Sequence, residues 1–513
     1  MSLLLAFCFY LPFLSCLTLG AAAALGWQRY REIGFAFSWL YLILAGLVLW
    51  AVSDQGTLVY VFGDWPVPAG IAYAADPLAA TFVALVAISS VLCHWIGPFE
   101  DKDQNRVGLW VLLHGMHAGL NSAFLTGDFF NLFVAFEVFL ILSYGLVLAL
   151  HPVAKARNSY FYLNVMASTL LLVAQGVLYT TVGSLNMTEV AARVASDSDP
   201  TRLAYLLVFS LFLIVALLKA GAAPFFQWMP DTYAGLPAGL AAFFSALLTK
   251  VGIYVALRIG VTVFPLQAQV LAPAVQWIAV ASVFIGVFAA LGQSDLKRLL
   301  AFHSVSQIGL ILFGVGLAYE GREGLVELAV ASVVLFVLHH SAVKSSLFAM
   351  SAAYERVGGS SSLNAVRGWT SRAPWFALLF LVAAFSLAGL PPSSGFMAKW
   401  KLMMGVALEG RLVVLAILVA SGLLTLASML KIWKLSLSGP SNLPRTEASQ
   451  ATLRSLVVPL FVFVAMSVGM IVFYRPLLDW VDRVGYELAN PANYLKAVVD
   501  QGTQQWQLRE QGR

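Results

Sequence analysis

The sequence predicts an all-α polytopic membrane protein with about fourteen transmembrane helices, and three observations carry that reading. Of 513 residues, 60% are hydrophobic and only 11% are charged. Mean hydropathy is +0.84. The apolar residues gather in runs long enough to cross a bilayer, which takes about 20 residues each. A soluble chain carries about a quarter of its residues as charges, so a soluble enzyme, a nucleic-acid binder and a disordered scaffold are excluded. The formal charge of +5 is accounted for by basic residues in short loops.

The runs lie at roughly 3–25, 34–52, 76–98, 108–125, 128–150, 159–183, 204–229, 236–260, 269–291, 299–318, 325–350, 375–403, 412–436 and 454–474. Residues 3–25 have no basic segment before them and read as a first helix, not a cleaved leader. No strand pattern is visible, and the polar connections near 184–203, 354–373 and 437–453 are too short for a soluble domain. The tail, 475–513, reads as a surface or partner-facing helix. Cys8, Cys16 and Cys93 have no metal or disulfide spacing. No dinucleotide fingerprint, P-loop or cysteine cluster occurs, so no cofactor is expected and no redox or nucleotide chemistry.

Alternate loops divide the charges. One set holds Arg29, Arg31, Lys102, Arg106, Lys155, Arg157, Lys297, Arg298, Arg356, Arg367, Arg372 and Arg445. The other holds Arg193, Arg202 and Arg322 among Asp54, Asp64, Glu189, Asp197, Asp199 and Glu320. The basic set faces the cytoplasm, which puts both termini outside it.

Ionisable residues inside apolar runs are costly, on the order of 3 kcal/mol or more each, and are therefore functional candidates. Glu137 interrupts Leu132–Leu140. Lys219 closes an apolar run just before Ala220-Gly221-Ala222-Ala223-Pro224, and Lys250 lies inside span eight. His339, His340 and Lys344 share span eleven, 340 and 344 on one helix face; His303 stands near the start of span ten. Lys399 follows Gly389-Leu390-Pro391-Pro392-Ser393-Ser394-Gly395. Lys401 reads as interfacial, Arg258 as snorkelling, Asp76 and Asp128 as caps or interfacial, and His114 and His117 as structural. A buried lysine loses stability in its charged form and regains it beside a carboxylate, so a Glu137–Lys219 pair would let one lysine change its charge. Lysine, histidine and water in a row make a proton relay.

Pro224 breaks span seven and Pro391 with Pro392 breaks span twelve. Five spans separate the breaks, so a five-helix unit and its successor are inverted. The expected division is 1–107 for helices 1–3, 108–260 for the first repeat, 261–436 for the second and 437–513 for the last helix and tail. Paired broken helices point to ion sites near the midplane.

Several segments together resemble one family: Asp76-Pro77-Leu78; Thr126 to Phe133 with Glu137; Lys219; Pro224 to Pro230 with Asp231; Leu247 to Gly252; Asp295 to Ala301; Ser304 to Gly309; His340 with Lys344; and Gly389 to Lys399. They match the antiporter-like proton-translocating subunits of respiratory complex I and of multisubunit Mrp cation/proton antiporters. Gly63 to Ile71 and Gly183 to Met187, with the length, are similar to the D-type branch of the Mrp complexes. The resemblance implies proton transfer through Glu137, Lys219, Lys250, His340, Lys344 and Lys399. It also implies coupling to sodium or potassium efflux, other Mrp-type subunits as partners, and a bacterial inner-membrane location. The alternative it implies is a proton-pumping arm of complex I or of a related hydrogenase or formate complex. No compact carboxylate cluster marks a metal-cation path.

Overall fold

The computed structural model describes all residues except 64, 101, 102, 200, 512 and 513; Asp64 and Lys102, counted among the loop charges, lie outside the described residues. The chain is nearly all helical. It begins with α1 (Leu3–Ala24), α2 (Tyr30–Gln55), a two-stranded hairpin β1 (Leu58–Val61) and β2 (Ala72–Ala75), α3 (Pro77–Ile96) and α4 (Val107–Leu125). It continues through α5 (Phe129–Leu150), α6 (Ala154–Val182), α7 (Met187–Ser196), α8 (Leu203–Ala220), α9 (Trp228–Gly235) and α10 (Ala238–Leu257). Then come α11 (Pro265–Gly292), α12 (Leu296–Ala318), α13 (Leu325–Gly358), α14 (Trp369–Arg372), α15 (Pro374–Ala388) and α16 (Ser394–Leu408). The chain closes with α17 (Leu412–Ile432), α18 (Glu447–Val472), α19 (Tyr474–Ala489) and α20 (Ala492–Gln511). Among the described residues, 12 helices are long and apolar enough to span a membrane. The two further runs read from the sequence are α4 and the α15–α16 pair.

Local sequence sets where the helices start. Asp76, Asp128 and Asp295 each accept the backbone N–H three residues on, at 2.9, 2.8 and 2.9 Å, which satisfies one orphan donor of α3, α5 and α12. Packing then sorts the helices. α10 is buried along its whole apolar length, and α3, α12 and α13 are buried over most of theirs. α1, α2, α11, α17 and α18 form the outside, where Leu17, Trp277, Val413 and Phe461 lie exposed, as an apolar solvent allows.

Two sequence readings, on the strands and on Arg258, need correction, and two others, on the tail and on Lys401, gain their partners. The hairpin contradicts the absence of strands: its four-residue strands are too short to stand out among apolar runs. Its free edge is closed by amide side chains of α20, with Gln501 bonding Val59 N–H (3.1 Å) and Thr57 C=O (2.9 Å) and Gln505 bonding Val61 N–H (3.2 Å) and Val59 C=O (2.6 Å). The tail is two helices that cover this chain's own surface. Trp480 of α19 donates to Thr81 of α3 at 2.8 Å, and Gly485 lies against the backbone of α13 at Glu327. Arg258 does not snorkel. It is 2% exposed and pairs at 2.6 Å with Asp76, which is therefore more than a cap, and Tyr494 of α20 stacks beneath the guanidinium at 4.5 Å. Lys401 is tied to Asp482 of α19 at 2.6 Å.

Candidate functional site: a buried row of lysines and histidines

Two interrupted helices frame the site. α8 stops at Ala220, where Gly221 turns left-handed (φ 69°), and Pro224 lies between it and α9. The freed backbone is met locally: Trp228 Nε1 donates to Leu218 C=O (3.1 Å), and Ala223 N–H donates to Ser282 Oγ of α11 (2.9 Å). α15 stops at Ala388, Gly389 turns left-handed (φ 86°), and Pro391 and Pro392 precede α16, which Ser393 caps.

Lys219, in the last turn of α8, is 2% exposed. Its Nζ donates to Asn164 Oδ1 of α6 at 3.1 Å and lies 5.3 and 5.1 Å from the ring centroids of Phe136 and Phe139. Both rings flank Glu137 on α5. Among the described residues no direct Glu137–Lys219 ion pair is found; Glu137 is half-buried and acts on the lysine through space. The pair expected from the sequence is a separated one.

Lys250 is wholly buried in α10 and donates to Ser245 C=O of its own helix. Gly252, two residues on, lets α10 meet α8 backbone to backbone: a Cβ there would collide with Ala216 C=O and Ala220 N. Ala220 is the neighbour of Lys219, so each lysine lies within two residues of the same helix contact.

His340 and Lys344 are wholly buried in α13. Lys344 Nζ donates to Leu300 C=O of α12 at 2.6 Å. Neither ring nitrogen of His340 has a protein partner, although the ring stands within electrostatic reach of both Lys250 and Lys344. His303, placed by the sequence near a cytoplasmic edge, is wholly buried on α12, hydrogen-bonded to Ser428 of α17 and within reach of Lys344 and Lys399. His339 bonds Ser394 Oγ at 2.9 Å, and Ser394 in turn meets Ser386 and Ser467 at 3.0 and 2.8 Å. Lys399 of α16 donates to Leu387 and Ala388 C=O at 3.0 and 2.8 Å, so its amine caps the end of α15.

The structure thus strings Lys250, His340, Lys344, His303 and Lys399 together, with Lys219 one helix contact away. Sequence reasoning missed Asn164 and the serines 386, 394 and 467. Polar residues in apolar runs were the signal, but charge alone was weighed. It also missed that cations here come in two kinds. Arg258 pairs with Asp76 and Lys297 with Glu355, whereas among the described residues Lys219, Lys250, Lys344 and Lys399 bond only neutral oxygens. Among the described residues no cluster of three or more His, Cys, Asp or Glu is gathered as a metal site.

The family described as NADH:quinone oxidoreductase/Mrp antiporter, transmembrane, matches residues 126–425. The chain is 33% identical over 470 residues to the D subunit of the Na(+)/H(+) antiporter of Alkalihalophilus pseudofirmus, covering 91% of this chain and 93% of that one. It superposes on a chain of the Mrp complex from Dietzia sp. with a TM-score of 0.85 at 26% identity, covering 97% and 100% of the two chains. It also shares the fold of a chain of respiratory complex I from Thermus thermophilus, with a TM-score of 0.77 at 20% identity over 94% and 99%. With most of its length matched on these terms and the buried lysine row in the same span, the chain belongs to the NADH:quinone oxidoreductase/Mrp antiporter transmembrane family.

Proposed function

We propose that this chain is the D-type subunit of a multisubunit Na+(K+)/H+ antiporter, a secondary transporter component that moves protons through its buried lysine–histidine row in exchange for monovalent cations. The observation that carries the mechanism is the choice of partners. A buried cation kept for structure needs a counter-charge, since its desolvation costs several kcal/mol, and Arg258 and Lys297 have one. The four other buried lysines bond carbonyl or amide oxygens, which accept from –NH2 as well as, more strongly, from –NH3+. Each can therefore gain or lose a proton without breaking its contact. Lys399 illustrates this: two carbonyls receive it, and a neutral amine still has two N–H bonds to give.

In this reading protons load near Glu137 and Lys219, cross the α8–α10 contact to Lys250, and leave along His340, Lys344, His303 and Lys399. His340, with two unpartnered nitrogens between two lysines, accepts from one side and donates to the other. Helices 108–260 and 261–436 act as inverted repeats, each carrying one broken helix, with 1–107 and 437–513 outside them. A proton crossing the full potential exchanges about 2.3 kcal/mol per 100 mV, which is the quantity coupled to cation efflux. Other antiporter subunits complete the cation path, in a bacterial inner membrane with both termini outside the cytoplasm. The complex I reading rests on the shared family and on the shared fold.

The test is Lys250. Arginine keeps the charge and cannot deprotonate, so Lys250→Arg should stop sodium- or potassium-dependent proton flux in everted vesicles as fully as Lys250→Ala, with all subunits present on blots. Near-normal flux in the arginine variant would make Lys250 an anchor and not a relay.

A further inference from the structure

The lysine row leaves one charged cavity unused, at the end of the molecule where α15 and α18 begin. It measures about 230 Å³, and Arg372, Trp375, Gln450, Arg454 and Val457 are among the residues that line it. Arg372 is held by neutral oxygens: Nε donates to Pro444 C=O at 3.2 Å and Nη2 to Ser449 Oγ at 3.1 Å. Arg454, exposed two turns into α18, bonds no other residue among the described ones. Among the described residues neither guanidinium has an acidic partner, and no carboxylate lines the cavity. The first turn of α15 forms part of the same wall and adds the positive end of its helix. Two positive charges thus face a space without a counter-charge, whereas Arg258, Lys297 and Arg411 each have a carboxylate.

The surroundings decide the kind of anion. Arg454 shares one face of α18 with Val457, Val458 and Phe461, spaced i, i+3, i+4 and i+7, and all three apolar side chains are exposed. Trp375 begins a similar face on α15, with exposed Leu378 one turn on. Both helices pack on α13 and meet each other where Ser386 and Ser467 bond at 3.0 Å. A free phosphate would use the arginines alone; a phospholipid uses the arginines and the apolar faces that run on from them. Tryptophan and arginine at the ends of spans also mark headgroup level. On the opposite face of the same α18 turns, Arg31 and Arg356 line a cavity of about 370 Å³, but that one also holds Glu100. Of these two cavities only the α15–α18 one is without a carboxylate.

We propose that this cavity binds the phosphate of an anionic phospholipid whose acyl chains lie along the apolar faces of α15 and α18. Guanidinium groups match phosphate oxygens through paired N–H donors. A zwitterionic head is disfavoured, because its ammonium finds no carboxylate here. The bound lipid joins α15 to α18 about 16 Å along α15 from Ser386, and so braces the two helices that meet beside the second break.

The experiment is native mass spectrometry of the intact complex in neutral detergent, titrated with dioleoyl phosphatidylglycerol, with dioleoyl phosphatidylcholine and with glycerol 3-phosphate. The wild-type complex should hold one phosphatidylglycerol more than the Arg454→Gln complex. At this site phosphatidylglycerol should be preferred over phosphatidylcholine by about tenfold or more, the usual weight of one charge-assisted hydrogen bond. Arg454 has no bond within the chain to lose, so Arg454→Gln keeps the fold. Arg372→Gln should remove the same lipid, and the double variant no second one. An equal count in the wild-type and Arg454→Gln complexes overturns the proposal, whether a neighbouring subunit covers this face or no lipid binds. So does phosphatidylcholine binding as tightly, or glycerol 3-phosphate displacing the lipid at equal concentration, which would make this a site for free phosphate esters.

Discussion

The two broken helices use one backbone device in different ways. At the first break the cation and the cap are separate: Lys219 rests on Asn164 and two phenylalanine rings, while the indole of Trp228 closes Leu218 C=O. At the second they are one group, because the amine of Lys399 itself closes Leu387 and Ala388 C=O. The first lysine has a carboxylate, Glu137, acting on it through space; the second stands within reach of the imidazoles of His303 and His339. The first break is thus built so that its charge is set by a neighbour, and the second so that its charge group also holds the helix end. Breaking regular structure at membrane depth is tolerated only where side chains repair it, and the choice of repairing group decides how far charge and structure are coupled.

The largest effect expected from this contrast is in the paired alanine variants. Lys219→Ala and Lys399→Ala should each reduce cation-dependent proton flux more than about tenfold, the usual result of removing an essential proton-transfer group. Only Lys399→Ala should also lower the amount of assembled complex, since each buried carbonyl left unpaired costs about 1–3 kcal/mol. Equal subunit amounts in the two variants would erase the distinction.

Next is Glu137→Gln, which should leave assembly intact and abolish flux, because it removes the charge that acts on Lys219. Normal antiport in vesicles carrying this variant would remove the through-space carboxylate from the account. A smaller change is expected from Trp228→Phe. It removes one hydrogen bond, worth about 1 kcal/mol, and should lower Tm by a few degrees while most of the flux survives; a loss of flux as large as in Lys219→Ala would show that cap and cation are coupled at the first break too.

The smallest effect concerns His151, where α5 ends and where Nε2 meets Asp231 C=O of α9 at 2.8 Å while Nδ1 accepts Val153 N–H at 3.1 Å. Burial holds this imidazole below its ordinary value of 6.5. The folded state therefore prefers the neutral ring: the contribution is present above the ordinary value and is lost as the pH falls through the lower, folded one. Acidification should loosen the α5–α6 loop in the wild-type complex. In His151→Gln that acid-side loss should be missing, as read by limited proteolysis of the loop at neutral and mildly acid pH. Identical profiles would mean that the ring adds nothing to the first break.

Much of the fold was legible because each signal was local. Run length and mean hydropathy gave the spans, Asp76 and Asp128 stood at helix edges, and Pro224 and Pro391 with Pro392 stood where regular helix stops. The candidate lysines were legible for the same reason, since a charge in an apolar run is visible without knowing its neighbours. What could not be read were pairings between distant segments. Arg258 looked like a snorkelling residue because Asp76 lies far back in the chain; the tail read only as a surface or partner-facing helix because Gln501 and Gln505 meet strands more than 400 residues earlier.

The sequence by itself determined that this chain lives in a bilayer, where its helices begin and break, and which charges must be buried. Those are properties of short segments and of transfer from water. Only the tertiary structure decided which buried charges are neutralised and which are left on neutral oxygens, that Glu137 acts on Lys219 from a distance, and that Arg372 and Arg454 line one cavity. Such outcomes depend on which helix faces which, and helix facing is set by packing, as where Gly252 lets α10 touch α8, and not by the composition of either helix.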